Sequence, residues 1–411
     1  MKRKILFISH FFKPETGAAV TRINYFYEIL KQNFKEVKVV TPKPNYPQGR
    51  KYKNYQELLP EDYKKNVKYL PIYLPKFQHS VFRMFSYVSY FFNSIVYSLI
   101  FIKKTDVVIT SSPPIITAFA AMIVSKLIKS VFILDIRDVW PDIGIELGII
   151  KNHLSIKGLK WVEKSILKNA DKIIVTAEGD RRNIINKNID PIKVTVIYNG
   201  ADSEIFYPKG KNEIERIREN YKLPPNKPIL IYFGSFNYGM NDIELLGDAL
   251  INLSKKGKDF FFVAVGTGTN ASKLFDKING LVEYKHFPSL INSEVAEILS
   301  SSNISLIPRK KIIKDTGGNI PVKCFESWAA GIPIVMSSLE NSEVTEIFDL
   351  CNAGKLIDTG DLGAFVNAVI ELLERDDLKE LGVKGRKLVE EKFDRYEESK
   401  KLIDILSKCL P

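Results

Sequence analysis

Short apolar segments alternate with longer amphipathic segments along most of the chain, and this alternation restricts the possible folds more than any other feature. Apolar and β-branched runs in the first half predict strands at 5–9, 37–41, 107–110, 131–136, 173–176 and 194–197. Segments with helical periodicity separate them, among them 19–32, 114–127 and 156–168. Strands that alternate with helices are typical of a parallel sheet covered on both faces. The first half therefore predicts a doubly wound α/β domain.

The alternation stops once and then resumes. Residues 203–227 hold several prolines around one short charged helix, which predicts a linker. The elements predicted beyond it are strands at 229–233, 260–265 and 304–307 and a helix at 242–256. We therefore expect α/β domains at 1–202 and 228–392, followed by a last helical segment at 393–411. In such domains a ligand is expected at the carboxyl ends of the strands.

The composition is that of a globular protein from a reducing compartment. The 411 residues are 45% hydrophobic and 26% charged, which suffices for two cores. Only three cysteines and four histidines are present, without a C-x-x-C or H-x-x-x-H pair, so a disulfide framework and a structural zinc site are not expected. The basic amino terminus leads into an apolar run of only about five residues, which predicts a strand and not a signal peptide.

The segment 319–335 places one carboxylate, Glu326, on a short helix just after a glycine-rich turn. The turn at 316–319 exposes backbone N–H groups, and a helix that begins at about Pro321 adds the positive end of its dipole. A diphosphate could be bound at this turn. Glu326 is then well placed to accept two hydrogen bonds from a ribose diol. The expected donor-binding residues here are Gly318, Asn319, Ile320, Pro321, Lys323 and Glu326. An ordinary helix-to-strand turn with a surface glutamate is the alternative.

This segment resembles the donor-site signature of retaining glycosyltransferases of the GT-B fold, glycosyltransferase family 4. The matching residues are Pro321, Lys323, Phe325, Glu326, Ala329, Ala330, Gly331 and Pro333. The resemblance implies two Rossmann-like domains that face a central cleft, with the last helix crossing back to the first domain. It also implies that the second domain binds a nucleoside diphosphate sugar, that the first binds the acceptor, and that Glu326 belongs to the catalytic site.

Two segments of the first half resemble a bacterial branch of this family, the N-acetylfucosaminyltransferase-like enzymes of polysaccharide assembly. One follows the first strand and matches at Pro14, Glu15, Gly17, Ala18, Ala19 and Arg22. Gly17 precedes a helix and lets the backbone approach a phosphate, so we assign Gly17 to the donor-binding residues. The other is Arg137-Asp138 after strand 131–136. The resemblance places these two residues and His10 on the acceptor side and Asp138 in the catalytic site. Alternatively, Asp138 complements a helix dipole together with Asp142.

Further candidate residues follow strands of the second half. Gly234 and Ser235 end its first strand, where the family places backbone donors near the donor phosphates. Arg309 and Lys310 follow strand 304–307. We expect both cations to neutralise the leaving diphosphate, because negative charge grows there as the sugar–phosphate bond breaks. A solvated basic turn is the alternative.

The chain departs from the family pattern in two places. Gly318 stands near the position of the first acid of the family's glutamate pair, and the usual Arg and Lys are absent from 234–241. A rival motif, G-x-G-x-x-A at 266–271 with Glu283 beyond it, is a passable dinucleotide fingerprint. It follows the second strand of its domain rather than the first, and family 4 enzymes commonly carry G-x-G there near the base. The resemblance therefore assigns Gly266 to the donor site. No convincing Asp-x-Asp motif or histidine cluster indicates a metal, and no cofactor is expected.

The net charge of +12 is unevenly distributed, with +16 in residues 1–200 and −4 in residues 201–411. Such a field attracts nucleic acid, anionic membranes or phosphorylated substrates, but no nucleic-acid-binding motif accompanies it. The uncharged stretch 84–102 is long enough to cross a bilayer, yet it is rich in serine and tyrosine. This composition favours a helix that lies in the membrane interface. A buried core helix is the alternative.

These features predict a cytoplasmic glycosyltransferase that is peripheral on the inner face of the cytoplasmic membrane. The expected donor is a nucleoside diphosphate sugar, first of all a UDP-sugar. The expected acceptor is a saccharide linked to undecaprenyl diphosphate or a similar lipid, in the synthesis of a capsule, O-antigen or other surface polysaccharide. The alternatives are a UDP-sugar 2-epimerase of the same fold and a nonenzymatic, membrane-associated binding protein of the assembly complex.

Overall fold

The computed structural model describes residues 3–45, 55–74, 80–102, 104–237, 239–288, 290–310, 320–339 and 342–409. The chain forms two compact units. The first comprises Met1–Tyr198 and Ser399–Pro411, and the second comprises Asn199–Glu398.

The first unit is built on a parallel sheet of seven strands. The strands are β1 (Lys4–Ile8), β2 (Glu36–Pro42), β3 (Val67–Leu70), β4 (Val107–Ser112), β5 (Val131–Ile136), β6 (Lys172–Val175) and β7 (Val194–Val196). The helices are α1 (Ala18–Asn33), α2 (Glu61–Asn66), α3 (Ser80–Phe101), α4 (Ile115–Ile128), α5 (Asp142–Glu146), α6 (His153–Asn169) and α7 (Glu178–Asn186). The strand order is β3-β2-β1-β4-β5-β6-β7.

The second unit is built on a parallel sheet of six strands. The strands are β8 (Ile229–Phe233), β9 (Phe261–Val265), β10 (Tyr284–Phe287), β11 (Ile304–Ile307), β12 (Ile334–Ser338) and β13 (Gly354–Asp358). The helices are α8 (Lys211–Asn220), α9 (Ile243–Lys255), α10 (Ala271–Ile278), α11 (Asn292–Ser300), α12 (Val322–Ala329), α13 (Glu343–Asp349), α14 (Leu362–Leu373), α15 (Leu378–Leu388) and α16 (Arg395–Cys409), which continues into the first unit. The strand order is β10-β9-β8-β11-β12-β13.

Both sheets share one winding pattern, which confirms the predicted pair of doubly wound domains. In each sheet the first strand pairs with the fourth, β1 with β4 and β8 with β11, and the chain winds outward from this pair on both sides. Ligand crevices form at the carboxyl ends of the strands where the winding reverses. The pair β8 and β11 therefore marks the place in the second unit where a ligand is expected.

The final helix belongs largely to the first unit, as predicted. Leu402, Ile405 and Leu406 of α16 are buried in a core cluster of that unit, together with Phe26 and Tyr27 of α1. Burial of each such side chain stabilises the folded state by about 1.5–3 kcal/mol. This apolar stripe therefore anchors the end of the chain to the first sheet.

Helix α3 has one core face and one exposed apolar face. Tyr90 is fully buried, and its hydroxyl donates to the carbonyls of Ser9 at 2.9 Å and Val40 at 2.7 Å. On the opposite face Phe92 is 60% exposed and Val96 is 54% exposed. Among the described residues, the segment 84–101 of this helix is long and apolar enough to cross a membrane, and 22% of it is buried. The face with Tyr90 is that of a core helix, and the face with Phe92 and Val96 is the one that the interfacial interpretation requires.

Candidate active site

The carboxyl ends of β8 and β11 bring together two segments that the sequence analysis selected separately. Gly234 and Ser235 follow β8, and Arg309 and Lys310 follow β11. An isolated antiparallel bridge between Asn241 and Arg309 ties the two loops to each other. Because neighbouring parallel strands end at the same edge of a sheet, these residues share one edge.

Lys323 of α12 reaches the loop that follows β8. Its ammonium nitrogen lies 4.1 Å from the centroid of the Tyr232 ring and 3.3 Å from Oδ1 of Asn241. Gly234 has φ +121°, and a Cβ atom there would lie 2.5 Å from Cε of Lys323. The glycine therefore leaves room for the lysine, so two predicted donor-binding residues are in direct contact.

The environment of Lys323 disfavours its positive charge. Burial lowers the pKa of Lys323 to about 7, the positive charge of Arg309 acts in the same direction, and Glu326 opposes the shift. An anion bound beside Lys323 would reverse this effect. The site is thus a place where two cations are held close together and a negatively charged ligand would stabilise both.

The loop after β9 packs directly against the loop after β8. Gly266 has φ +127°, and a Cβ atom there would lie only 2.0 Å from the carbonyl oxygen of Gly234. The Gly266 N–H donates to the carbonyl of Phe287 at 2.8 Å, and the Gly234 N–H donates to that of Val265 at 2.8 Å. No side chain fits between these backbones, so Gly266 positions Gly234 by close approach.

Arg309 is almost fully buried, with 9% of its surface exposed. Its backbone N–H donates to Oγ of Ser337 at 2.6 Å, and the Ser337 hydroxyl donates back to the Arg309 carbonyl at 3.1 Å. Its guanidinium lies 3.5 Å from the sulfur of Met240. The exchange with Ser337 on β12 fixes the backbone of Arg309, and this agrees better with a site residue than with a solvated basic turn.

Glu326 is mostly buried and forms an ion pair. Its side chain is 16% exposed, and Oε1 lies 3.2 Å from Nη2 of Arg395, whose side chain is 5% exposed. Burial raises the pKa of Glu326, while Arg395 and Lys323 oppose the shift. Glu326 is therefore neither a surface residue nor an isolated carboxylate. No sequence pattern had indicated Arg395 as its partner.

Other predicted donor-site residues surround the start of α12. Pro321 is the residue before the first helical turn, and its carbonyl accepts the N–H of Cys324 at 3.0 Å. Ile320 is 8% exposed. Gly318 and Asn319 lie outside the described residues.

In the first unit, His10 follows β1 and Arg137 follows β5, and β4 lies between these two strands. The His10 ring lies edge-on to Tyr87, with centroids 4.9 Å apart, and is 5% exposed. Nε of Arg137 donates to Oγ of Ser111 at 3.0 Å, and its guanidinium lies 5.5 Å from the centroid of the Phe11 ring. Both predicted acceptor-side residues are held by packing against aromatic rings.

Asp138 lines a small pocket of the first unit. The pocket is lined by Ser112, Ile115, Ala118, Leu134, Ile136, Asp138, Val139, Trp140, Glu163, Ile166 and Leu167. Asp142 begins α5 instead, and it pairs with Lys187 at 2.6 Å. Lys187 also binds Glu163, whose pKa is raised by burial and lowered in turn by this lysine. The two aspartates thus occupy different environments.

The segment around Gly17 contains a buried ion pair that the motif comparison did not reveal. Gly17 directly precedes α1, and Arg22 of that helix donates to Asp135 of β5 at 2.8 and 3.0 Å. Arg22 also donates to the carbonyl of Ile197 at 2.9 Å, and Ser111 donates to Asp135 at 2.9 Å. The family-like Arg22 thus fastens α1 across the sheet.

Within the described ranges, no group of three or more His, Cys, Asp or Glu residues could hold a metal ion.

Two family models match the chain. Residues 17–200 match the "Glycosyl transferase 4-like domain" and residues 227–375 match the "Glycosyl transferases group 1" domain, so the matches together cover about four fifths of the chain. The chain carries two glycosyltransferase family domains. The first match contains Gly17, Arg137 and Asp138. The second contains Gly234, Arg309, Lys323 and Glu326.

Two bacterial glycosyltransferases are among the relatives of this chain. The chain is 24% identical to the "Putative colanic acid biosynthesis glycosyl transferase WcaI" of Escherichia coli K12. The alignment spans 359 residues and covers 85% of this chain and 86% of WcaI. The chain is also 25% identical over 232 residues to "UDP-Gal:alpha-D-GlcNAc-diphosphoundecaprenol alpha-1,3-galactosyltransferase" of Escherichia coli, covering 52% of this chain and 54% of that protein.

A solved structure extends the comparison of the fold. HepE of Anabaena, crystallised in complex with UDP-glucose, superposes with a TM-score of 0.68 at 13% identity, over 99% of this chain and all of HepE. At this level of identity the likeness shows the shared fold alone.

Proposed function

We propose that this protein transfers a sugar, with retention, from a UDP-sugar or other nucleoside diphosphate sugar to a lipid-linked saccharide during synthesis of a bacterial surface polysaccharide. The observation that carries the proposal is the pair of neighbouring cations Lys323 and Arg309 at the β8–β11 edge, with Glu326 one turn further along α12. This order suits a nucleotide sugar, whose diphosphate would face the cations and whose ribose diol would face the carboxylate. The name of the galactosyltransferase relative supports this donor and acceptor class.

The proposed chemistry uses charge that develops on the leaving group. As the bond between the anomeric carbon and the diphosphate oxygen breaks, negative charge grows on the diphosphate, where Arg309, Lys310 and protonated Lys323 stabilise it. The backbone N–H group of Ser235 would add a neutral donor, whereas that of Gly234 is bound to the carbonyl of Val265. The acceptor hydroxyl forms the new bond on the face from which the diphosphate departs, and its proton passes to a diphosphate oxygen. His10, Arg137 and Asp138 would serve the acceptor.

A panel of nucleotide sugars tests the reaction class. Each donor is incubated with the protein, with and without an undecaprenyl-diphosphate-linked saccharide, and free nucleoside diphosphate is measured. We expect release that depends on the acceptor. Conversion of a UDP-sugar to its 2-epimer without acceptor would select the epimerase. Binding of the donor without any product, across the whole panel, would select a binding protein and overturn the transferase proposal.

Substitution of Glu326 tests the donor site. A hydrogen bond to a charged group contributes about 1.5–3 kcal/mol, so Glu326→Ala should weaken donor binding by about 10- to 150-fold. Isothermal titration calorimetry with UDP-glucose measures this, and Glu371→Ala on the exposed side of α14 is the matched control. A dissociation constant within twofold of wild type in a folded Glu326→Ala variant would remove Glu326 from the site.

We also propose that the first unit rests on the anionic inner face of the cytoplasmic membrane through α3 and α6. On α6, Trp161 is 62% exposed and Leu154 is 77% exposed. The Trp161 ring lies 5.8 Å from the Phe119 ring of α4, which stacks at 6.0 Å on Phe91 of α3, so the two helices are joined by packed aromatic rings. Four exposed lysines surround Trp161 along α6, namely Lys157, Lys160, Lys164 and Lys168.

Apolar rings beside lysines suit an interface with anionic lipid headgroups, where each lysine contributes about 1 kcal/mol and salt screens the effect. The double variant Phe92→Asp with Trp161→Asp should therefore sediment less with phosphatidylserine vesicles at low salt. Val383→Asp, an equally exposed apolar position of the second unit at 63%, is the control. The membrane proposal fails if wild type stays in the supernatant at low salt, or if the control reduces sedimentation as much.

A further inference from the structure

Arg395 is held in place independently of the carboxylate that it contacts. Its Nε donates to the carbonyl of Asn199 at 3.0 Å, and its Nη2 donates to that of Gly200 at 2.9 Å. Its backbone N–H donates to the carbonyl of Ala201 at 2.8 Å. The two side-chain contacts fix the plane of the guanidinium and the third contact fixes the backbone, so few side-chain rotamers remain available to Arg395.

The turn that precedes α16 is also fixed to α12. The rings of Phe393 and Phe325 pack with their centroids 4.9 Å apart. Asp394 accepts the N–H groups of Tyr396 at 3.0 Å and Glu397 at 3.1 Å, which starts α16 at Arg395. The remaining donor capacity of Nη2 is thereby directed at Oε1 of Glu326, 3.2 Å away.

We infer that Arg395 is a positioning residue, which keeps Glu326 ionised and oriented to accept hydrogen bonds from the ribose of the donor. The inference rests on the proposed function, because it takes the ribose as the ligand of Glu326. A nearly buried carboxylate without a paired cation would take up a proton, and a protonated carboxyl group accepts hydrogen bonds from hydroxyls poorly.

Two cations among the described residues act on the Glu326 carboxyl. Arg395 and Lys323 both lower its pKa against the effect of burial. Strands β11 and β12 present no charged side chain to α12. On α15, Arg386 donates to the carbonyl of Ala329 at 2.9 Å and pairs with Glu390 at 2.6 Å. Glu398, one turn beyond Arg395 on α16, is also buried.

The pH dependence of donor binding separates positioning from a merely structural role. Donor binding needs ionised Glu326, so it is present above the pKa of that carboxyl and is lost as the pH falls through it. Removal of the Arg395 charge raises this pKa, and the acid limb of the binding profile moves to higher pH. Each unit of movement weakens binding tenfold at a given pH on that limb. The alkaline limb, which is set by Lys323, should stay in place.

The test compares Arg395→Gln and Arg395→Lys with wild type, using calorimetric titration of the whole protein with UDP-glucose from about pH 5 to 9. We expect Arg395→Gln to move the acid limb up by at least about one unit. Arg395→Lys keeps the charge and should restore most of the shift. Arg386→Gln is the matched control, because this arginine also binds backbone carbonyls, those of Ser203 at 3.1 Å and Phe206 at 2.6 Å, without a contact to Glu326.

The outcomes distinguish this inference from the proposed function. If Arg395→Gln weakens binding equally at every pH, or if Arg386→Gln moves the acid limb as far, the positioning role is refuted. If Glu326→Gln binds UDP-glucose like wild type, the proposed donor site fails instead. Should UDP-glucose bind too weakly to titrate, the carbon-13 shift of the Glu326 carboxyl gives the same answer without ligand. That resonance must titrate at higher pH in Arg395→Gln than in wild type, and an unchanged midpoint overturns the inference.

Discussion

Donor binding should draw a proton onto Lys323. In the ligand-free site this lysine has a pKa of about 7, because it is buried and lies near Arg309. A diphosphate placed between the two cations favours the charged form and returns the pKa toward the ordinary value of a lysine, about 10.4. Binding and proton uptake are therefore linked, and the uptake depends on pH in a calculable way.

The magnitude follows from the two pKa values. At about pH 7.5 a lysine with a pKa near 7 holds about a quarter of a proton, so full protonation on binding takes up about 0.75 proton per site. At about pH 6 the lysine is already charged and the uptake falls to about 0.1 proton, while near pH 8.5 it approaches one. The affinity for the donor should accordingly fall as the pH rises above 7.

Calorimetry in buffers of different ionisation enthalpy measures this uptake directly. UDP-glucose is a suitable probe because its diphosphate is a diester without a titrating group in this range. Lys323→Arg keeps a cation that does not titrate, so it should bind the probe with no uptake attributable to this position. Lys310→Met retains Lys323 and should preserve the uptake.

Two results would refute the reasoning. An uptake below about 0.2 proton at pH 7.5, with normal binding, would mean that Lys323 is charged before the donor arrives or stays neutral afterwards. An uptake that survives in Lys323→Arg would place the titrating group elsewhere.

Two further predictions concern residues that the fold brings to the same sheet edge. Arg309→Met should lower turnover more than it lowers donor affinity, because the negative charge that Arg309 stabilises grows toward the transition state. Steady-state kinetics measure both effects, and a rise of the Michaelis constant alone would contradict this role. Gly266→Ala should destabilise the second unit by more than about 3 kcal/mol, since its Cβ atom would lie 2.0 Å from the Gly234 carbonyl at a φ of +127°. Gly257 has φ +70° and open space around it, so Gly257→Ala should cost only the backbone strain of about 1 kcal/mol. Equal losses of unfolding free energy for the two variants in chemical denaturation would contradict the steric argument.

The architecture was accessible from the sequence because it rests on local periodicity. Buried parallel strands must be apolar throughout and their covering helices must be amphipathic, so both sheets are visible as alternating segments. The segment around Glu326 was accessible for a similar reason, since a turn, a helix and a strand follow one another within 319–335. Short edge strands such as Val67–Leu70 and Tyr284–Phe287 lack this signal and were not predicted.

The contacts that define the site were decided by the tertiary structure. Lys323 and Gly234 are adjacent because the long side chain of Lys323 reaches from α12 to the end of β8. No pattern in the sequence between these two residues predicts that contact. Arg395 and Glu326 are 69 residues apart, and the Asp394–Glu397 spacing announces only that a helix begins. A hydrogen bond depends on distance and angle in space, whereas a sequence pattern records neighbours along the chain. The sequence by itself therefore determined which elements form and where the ligand-bearing edge lies, and folding decided which charges meet there.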